Sequence, residues 1–133
     1  MIEISTAINK LDIEVIYSYL THSYWGKGRT KEEVATTLKN SLNFGVYLDG
    51  KQIGFARILT DYVVFAYLMD VFILPDYQGK GYSKQLMKTI LEYPELKRVE
   101  TWMLKTKDAH GLYRQFGFTA SKNPEKIMEQ IVK

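Results

Sequence analysis

The residues best placed to do chemistry in this 133-residue chain lie in the stretch VFILPDYQGKGYSKQLM, from Val71 to Met87. An apolar run stops at Pro75, a polar loop carries Gly79 and Gly81, and an amphipathic segment follows. Glycine lets a chain turn sharply and lets a ligand approach its backbone. The N–H groups that open a helix have no intrahelical acceptor, and the helix dipole adds partial positive charge there. The amides from Lys80 to Gln85, with the side chains of Lys80 and Lys84, therefore have the chemistry to hold a phosphate or diphosphate. On the loop alone, a plain strand-to-helix turn explains the glycines equally well. The spacing is not that of a P-loop, and Lys84 stands where a Rossmann fingerprint needs its third glycine.

Asp70 is the second candidate. It is the one acid inside the apolar segment from Val63 to Leu74, and a buried carboxylate needs a partner or a task. Strand alternation puts it on the same face as Phe72. A general base, acting directly or through water, and a structural hydrogen-bonding role are both open to it. His22 and His110 read as solvated or structural. No His, Asp or Glu cluster has metal-ligand spacing, so no metal is expected. Ser83 has no evident partners for a hydrolase triad.

The elements that must position these residues follow from periodicity. Met1 to Ser5 reads as a first strand and Asn9 to about Thr21 as a helix with Leu11, Val15, Ile16 and Tyr19 at helical spacing. Thr30 followed by Glu33 has capping-box spacing, which predicts a second helix to about Asn40. Asp49-Gly50 between Gly45–Leu48 and Gln52–Leu59 is a hairpin signal. Val63 to Leu74 is a strand covered on both faces. Gly81 to Tyr93 is a helix, Arg98 to Leu104 a strand, and Thr106 to Phe116 a helix ended by Gly117 and Phe118. Ile127 to Val132 reads as the last strand. The strands on either side of the Gly81–Tyr93 helix should be parallel and the other pairs antiparallel, giving a mixed α/β sheet with helices on its faces.

Composition sets the outer limits. Apolar content of 46% and charged content of 25% suit one globular domain spanning residues 1–133. No apolar window is long enough to span a bilayer, and MIEISTAINK lacks the pattern of a secretory leader, so a cytoplasmic protein is expected. There are no cysteines, which excludes disulfides and a covalent Cys intermediate. The net charge is +3 without a basic run, so nucleic acid is not an expected partner.

Two segments in register resemble the GNAT superfamily of acetyl-CoA-dependent N-acetyltransferases. Its Gln/Arg-x-x-Gly-x-Gly/Ala signature is matched by Gln78-Gly79-Lys80-Gly81-Tyr82-Ser83, with Ser83 at the small-residue position. Its Leu-Tyr-x-x-x-Gly-Phe segment is matched by Leu112-Tyr113-Arg114-Gln115-Phe116-Gly117-Phe118. One helix and one strand separate the two, as in the family. The resemblance implies a GNAT-like mixed, centrally parallel sheet and direct transfer from acetyl-CoA to a primary amine of a small molecule or peptide, in a ternary complex. It implies that Tyr113 protonates the departing thiolate, a task suited to a phenol, which is protonated at neutral pH. It implies that Phe72, Ile73 and Leu74 bind the pantetheine arm by sheet-like hydrogen bonds, and that Gln78, Gly79, Lys80, Gly81, Tyr82, Ser83, Lys84 and Gln85 hold the diphosphate. Thr106 stands where many members have a cofactor-contacting Asn, with shorter reach. Asp70, Glu100 on the next strand, or water alone would be the base. The acceptor cleft would involve the connection between the first two helices, with Tyr24, Trp25 and Arg29, and also Tyr67, Tyr62 and Trp102. A hydrophobic plug beneath a loop explains those aromatics as well. The acceptor's identity is open, and so is a homodimer. A non-catalytic acyl-CoA-binding module is the alternative, for which neither Tyr113 nor Asp70 would be needed.

Overall fold

The computed structural model describes residues 1–23 and 25–132. Strand β1 (Ile2–Ser5) leads to α1 (Ile13–Thr21) and α2 (Lys31–Lys39). Three strands follow, β2 (Leu42–Leu48), β3 (Lys51–Thr60) and β4 (Phe65–Ile73). Then come α3 (Tyr82–Glu92), β5 (Thr101–Leu104) and α4 (His110–Arg114). The five strands form one sheet in the order β1-β2-β3-β4-β5. All pairs are antiparallel except β4–β5, which α3 joins in parallel.

Local chemistry explains the boundaries. Helix α1 starts at Ile13, not Asn9, because the Asp12 carboxylate accepts from the N–H groups of Glu14 and Val15. Residues 8–10 form a separate 3-10 turn. Helix α2 carries the full capping box, with Thr30 and Glu33 each bonding the other's backbone. Asp49 and Gly50 have φ of 51° and 78°, the two positive angles of a type I′ turn, so β2 and β3 close as a tight hairpin.

The sheet lies between two helical layers. Phe44, Ile58, Ala66 and Leu68 pack with Leu86, Met87 and Ile90 of α3 on one face. Phe55 and Phe72 meet Ile16, Leu20, Val34 and Leu38 of α1 and α2 on the other. Burying each large side chain contributes about 1.5–3 kcal/mol. Tyr62 and Trp102 join the α3-side core, away from the connection between α1 and α2.

Two features shape the site. Register runs from Phe55↔Phe72 to Arg57↔Met69, so Asp70 and Val71 together oppose Ala56, a bulge in β4 at which Asp70 takes a φ of 55°. The β4–β5 ladder then runs only from Phe65↔Thr101 to Leu68↔Leu104. Beyond Leu68, β4 has no neighbour on that side among the described residues.

Three expectations are corrected. Residues 127–132 form no strand. Their order, two apolar, two polar, two apolar, gives neither face of a strand a continuous apolar row. The one parallel pair consequently lies at the sheet's edge rather than its centre. Helix α4 (His110–Arg114) is one short turn and not eleven residues; the Thr106 hydroxyl accepts from Ala109 N–H at 3.0 Å, as a cap would, but no helix follows until His110. Its end follows the expected stop. Phe118 N–H donates to Tyr113 C=O and Gly117 N–H to Arg114 C=O, both at 3.2 Å, with Gly117 at φ 91°.

Candidate active site

The groove beside β4 is built by strand parity. Leu74 N–H donates to Ile53 C=O at 2.8 Å, which makes that pair hydrogen-bonded. Alternation then turns Phe72 N–H toward β3 as well, and Ile73 N–H and C=O toward the gap where β5 has ended. Ile73 C=O accepts from Gln78 Nε2 at 2.8 Å. The three consecutive residues expected to bind an extended ligand therefore separate. Ile73 offers a backbone donor to the gap. Phe72 is buried and faces β3, and both backbone groups of Leu74 are engaged, its C=O by Tyr77 N–H at 2.9 Å. Hydrogen exchange should show it: the Leu74 amide exchanges slowly and Ile73, its neighbour, at least ~10-fold faster. Equal NMR-detected rates would contradict this parity.

Gln78 uses its side-chain amide to pin the loop. Gly79 and Gly81 have φ of 79° and 82°, and a Cβ on either would meet nothing within 4 Å. A side chain there would be strained by conformation, not by crowding, and the space over the loop is open to a ligand. Gly81 caps α3 without a side-chain acceptor, and the first turn carries no acid. The N–H groups of Tyr82, Ser83 and Lys84 thus have no intrahelical partner, while Gln85 N–H is spent on Gly81 C=O at 3.1 Å. Lys80 and Lys84 are exposed beside them; the Tyr82 side chain packs on the α3-side core.

Tyr113 is buried on α4, and Phe118 meets its ring edge-on at 5.9 Å. The Schellman stop places Phe118 there, so α4's end orients the phenol. Thr106 keeps its hydroxyl proton to donate, although its oxygen already accepts from Ala109.

Asp70 sits in a charge network. Its Oδ2 accepts from Arg57 Nε at 2.9 Å and from Arg29 Nη1 at 2.7 Å. Arg57 also donates to Ser41 Oγ at 2.9 Å and to Met69 Sδ at 3.2 Å. Asp70 Oδ1 is buried without a protein partner among the described residues. Arg29, expected in the acceptor cleft, ties the connection between α1 and α2 to β4. The sequence reading missed Arg57. Its signal was available: it is the one charged residue in the apolar run from Ile53 to Leu59, on the strand that pairs with β4.

An open cleft of 920 Å³ lies where α1, the end of β4 and the loop before α4 meet, lined among others by Glu14, Tyr19, His22, Trp25, Leu74 and Asp108. Tyr19 stacks on Phe72 at 4.1 Å, and Trp25 tilts against Tyr19 at 6.3 Å. Burial and then the charge of Asp108 push the Tyr19 phenol above its ordinary pKa. Helical spacing had made Tyr19 look like core. Tyr67 is elsewhere, in a separate groove with Leu59 and Phe65. Tyr24 lies outside the described residues. Glu100 is exposed just before β5, at the opposite end of that strand from the gap. Among the described residues no His, Cys, Asp or Glu group is arranged to hold a metal, and no helix is long and apolar enough to cross a membrane.

A family model described as Acetyltransferase (GNAT) family matches residues 13–118. The chain is 41% identical to a Xanthomonas campestris pv. campestris protein solved as a member of that family, with a TM-score of 0.96 over 99% of this chain and 94% of that one. A provisionally named acetyltransferase of Gibberella zeae is 29% identical over 134 residues, covering 83% of this chain and 74% of the relative. A Clostridium acetobutylicum protein solved with acetyl-CoA shares the fold, with a TM-score of 0.71 at 12% identity over 99% of this chain and 97% of that one.

Proposed function

The chain belongs to the GNAT acetyltransferase family, and from that premise we propose that it moves the acetyl group of acetyl-CoA directly to a primary amine of a small molecule or peptide, in a ternary complex. The observation that carries the donor assignment is the start of α3, an uncapped and acid-free helix end next to the open side of β4. The amides of Tyr82, Ser83 and Lys84, with Lys80 and Lys84, hold the diphosphate. Ile73 N–H serves the pantetheine arm in the gap.

Acetyl-CoA supplies an activated acyl thioester. The amine nitrogen bonds to the carbonyl carbon, the carbon–sulfur bond breaks, and Tyr113 gives its phenolic proton to the leaving sulfur. The amine gives up a proton to water or to Asp70 Oδ1, which the two guanidinium groups leave free to accept. With no cysteine in the sequence, no acyl-cysteine forms. The acceptor enters by the Tyr19–Trp25 cleft, where aromatic faces and the Asp108 carboxylate suit a cation.

Acetyl-CoA and CoA should each raise the melting temperature, and a panel of amines should release thiol from acetyl-CoA. Stabilisation by acetyl-CoA with no turnover on any amine would convert the reading to a binding module. Ser83→Glu separates cradle from fold. A carboxylate in the first turn of α3 should stabilise the free chain by about 0.3–1 kcal/mol through the helix dipole. The same charge should repel the diphosphate and raise the Kd for acetyl-CoA at least ~10-fold, about 1.4 kcal/mol. Calorimetry showing unchanged affinity would move the diphosphate away from α3.

A further inference from the structure

The buried carboxylate of Asp70 faces a layer that plain alternation would deny it. Ala66 and Leu68 point into the α3-side core, and an unbroken strand would send Asp70 there too. The bulge, with Asp70 at φ 55°, turns its side chain toward the layer of α1 and α2, where Phe72 also packs. Asp tolerates that left-handed angle better than most residues. The result is a tie between β4 and the connection from α1 to α2. Arg29 Nη1 donates to Asp70 Oδ2 at 2.7 Å, and Arg29 N–H donates to Gly26 C=O at 3.2 Å. Gly26 is held in turn to the end of α1. Its N–H donates to Ser23 Oγ at 3.0 Å, and Ser23 Oγ donates to Leu20 C=O at 2.7 Å. The fit is close, since a Cβ on Gly26 would stand 2.8 Å from that same carbonyl oxygen. Trp25 is adjacent to Gly26, between the Ser23 and Arg29 anchors, and it tilts against Tyr19, which stacks on Phe72. Two residues of β4, Asp70 and Phe72, thus brace the Tyr19–Trp25 wall of the cleft. The Lys31–Glu14 pair nearby is solvent-exposed and contributes little.

We propose that Arg29 is a positioning residue for the acceptor: its bond to Asp70 sets where Trp25 stands against Tyr19, and so how well the cleft holds an amine. The inference rests on the acceptor reading given above. It gives Asp70 a task that needs no proton transfer, since the Oδ2 atom that receives Arg29 is itself fixed by Arg57. Among the described residues Arg29 does not line the cleft and Trp25 does, so Arg29 acts through Trp25. Its loss should weaken acceptor binding and leave the proposed cradle on α3 alone.

The test uses the full chain. It has two tryptophans, so fluorescence in a Trp102→Phe background reads Trp25 alone. There Arg29→Met should raise acrylamide quenching of Trp25 at least ~2-fold, with an unchanged circular dichroism spectrum. Turnover is measured with spermidine, benzylamine and lysine methyl ester as acceptors. The KM for the fastest of them should rise ~10-fold, while kcat stays within about threefold and the Kd for acetyl-CoA within about twofold. Arg29→Lys keeps a charge for Asp70 on a shorter stem, so both effects should persist at smaller size, and it decides the matter if Arg29→Met does not fold. Unchanged quenching in the folded variants would overturn the inference. So would a KM that stays put while Trp25 moves, or a loss shared equally by kcat and acetyl-CoA affinity. No turnover by the parent on any amine would instead sink the acceptor reading, and the acceptor role of Arg29 with it, while quenching still decides whether Arg29 places Trp25.

Discussion

Tyr113→Phe should lower kcat by about 10²–10⁴-fold, the range for loss of a positioned proton donor, and leave acetyl-CoA affinity within about twofold. The substitution removes one oxygen and keeps the ring. The edge-on contact with Phe118 and the packing of Tyr113 in the α3-side core survive, so α4 keeps its orientation. The proposed diphosphate cradle is on another helix, α3, and is untouched. Thiol release measures the first effect and calorimetry the second. Equal turnover by the two proteins would remove Tyr113 from the chemistry, whereas lost binding would mean that the ring, not the proton, had been disturbed.

Arg57→Met should be the most destabilising of the conservative changes near the site, at about 3–5 kcal/mol, the cost of removing one partner of a buried pair. The Asp70 side chain is fully buried and that of Arg57 is 6% exposed, so water cannot replace the lost guanidinium. Arg29 still reaches Asp70 but is 22% exposed and held by a loop. The double variant Arg57→Met with Asp70→Leu should recover much of the loss, because it leaves no uncompensated charge. Urea denaturation checks both, and a double variant as weak as Arg57→Met would show that the cost lies in packing. Asp70→Asn addresses function separately: a pH–rate profile that stays the same assigns the carboxylate to the network rather than to proton transfer.

Much of this was legible because it is local. Asp49-Gly50, Thr30 with Glu33, and Gly117-Phe118 each encode a turn or cap within a few residues, and each formed where its chemistry predicted. The strand, glycine loop and helix from Val71 onward are a local device of the same kind. What was hidden depends on partners distant in sequence. Which of Phe72, Ile73 and Leu74 faces the gap is decided by Ile53 across the ladder. Asp70 acquired its place from Arg57 and Arg29, 13 and 41 residues away. The helix expected over 106–116 has a clean apolar stripe and a cap-type bond from Ala109 N–H to the Thr106 hydroxyl, yet only residues 110–114 are helical. Residues 127–132 have strand-like composition but pair with no strand of the sheet.

The bare beginning of α3 carries a cost for turnover. On the proposed reading, every handle it offers grips a part of the coenzyme that the reaction leaves unchanged. Spent CoA is thus held nearly as firmly as its charged form, and the two compete for one seat. The working rate would then follow the ratio of acylated to free coenzyme, with the slow event being departure of the used carrier.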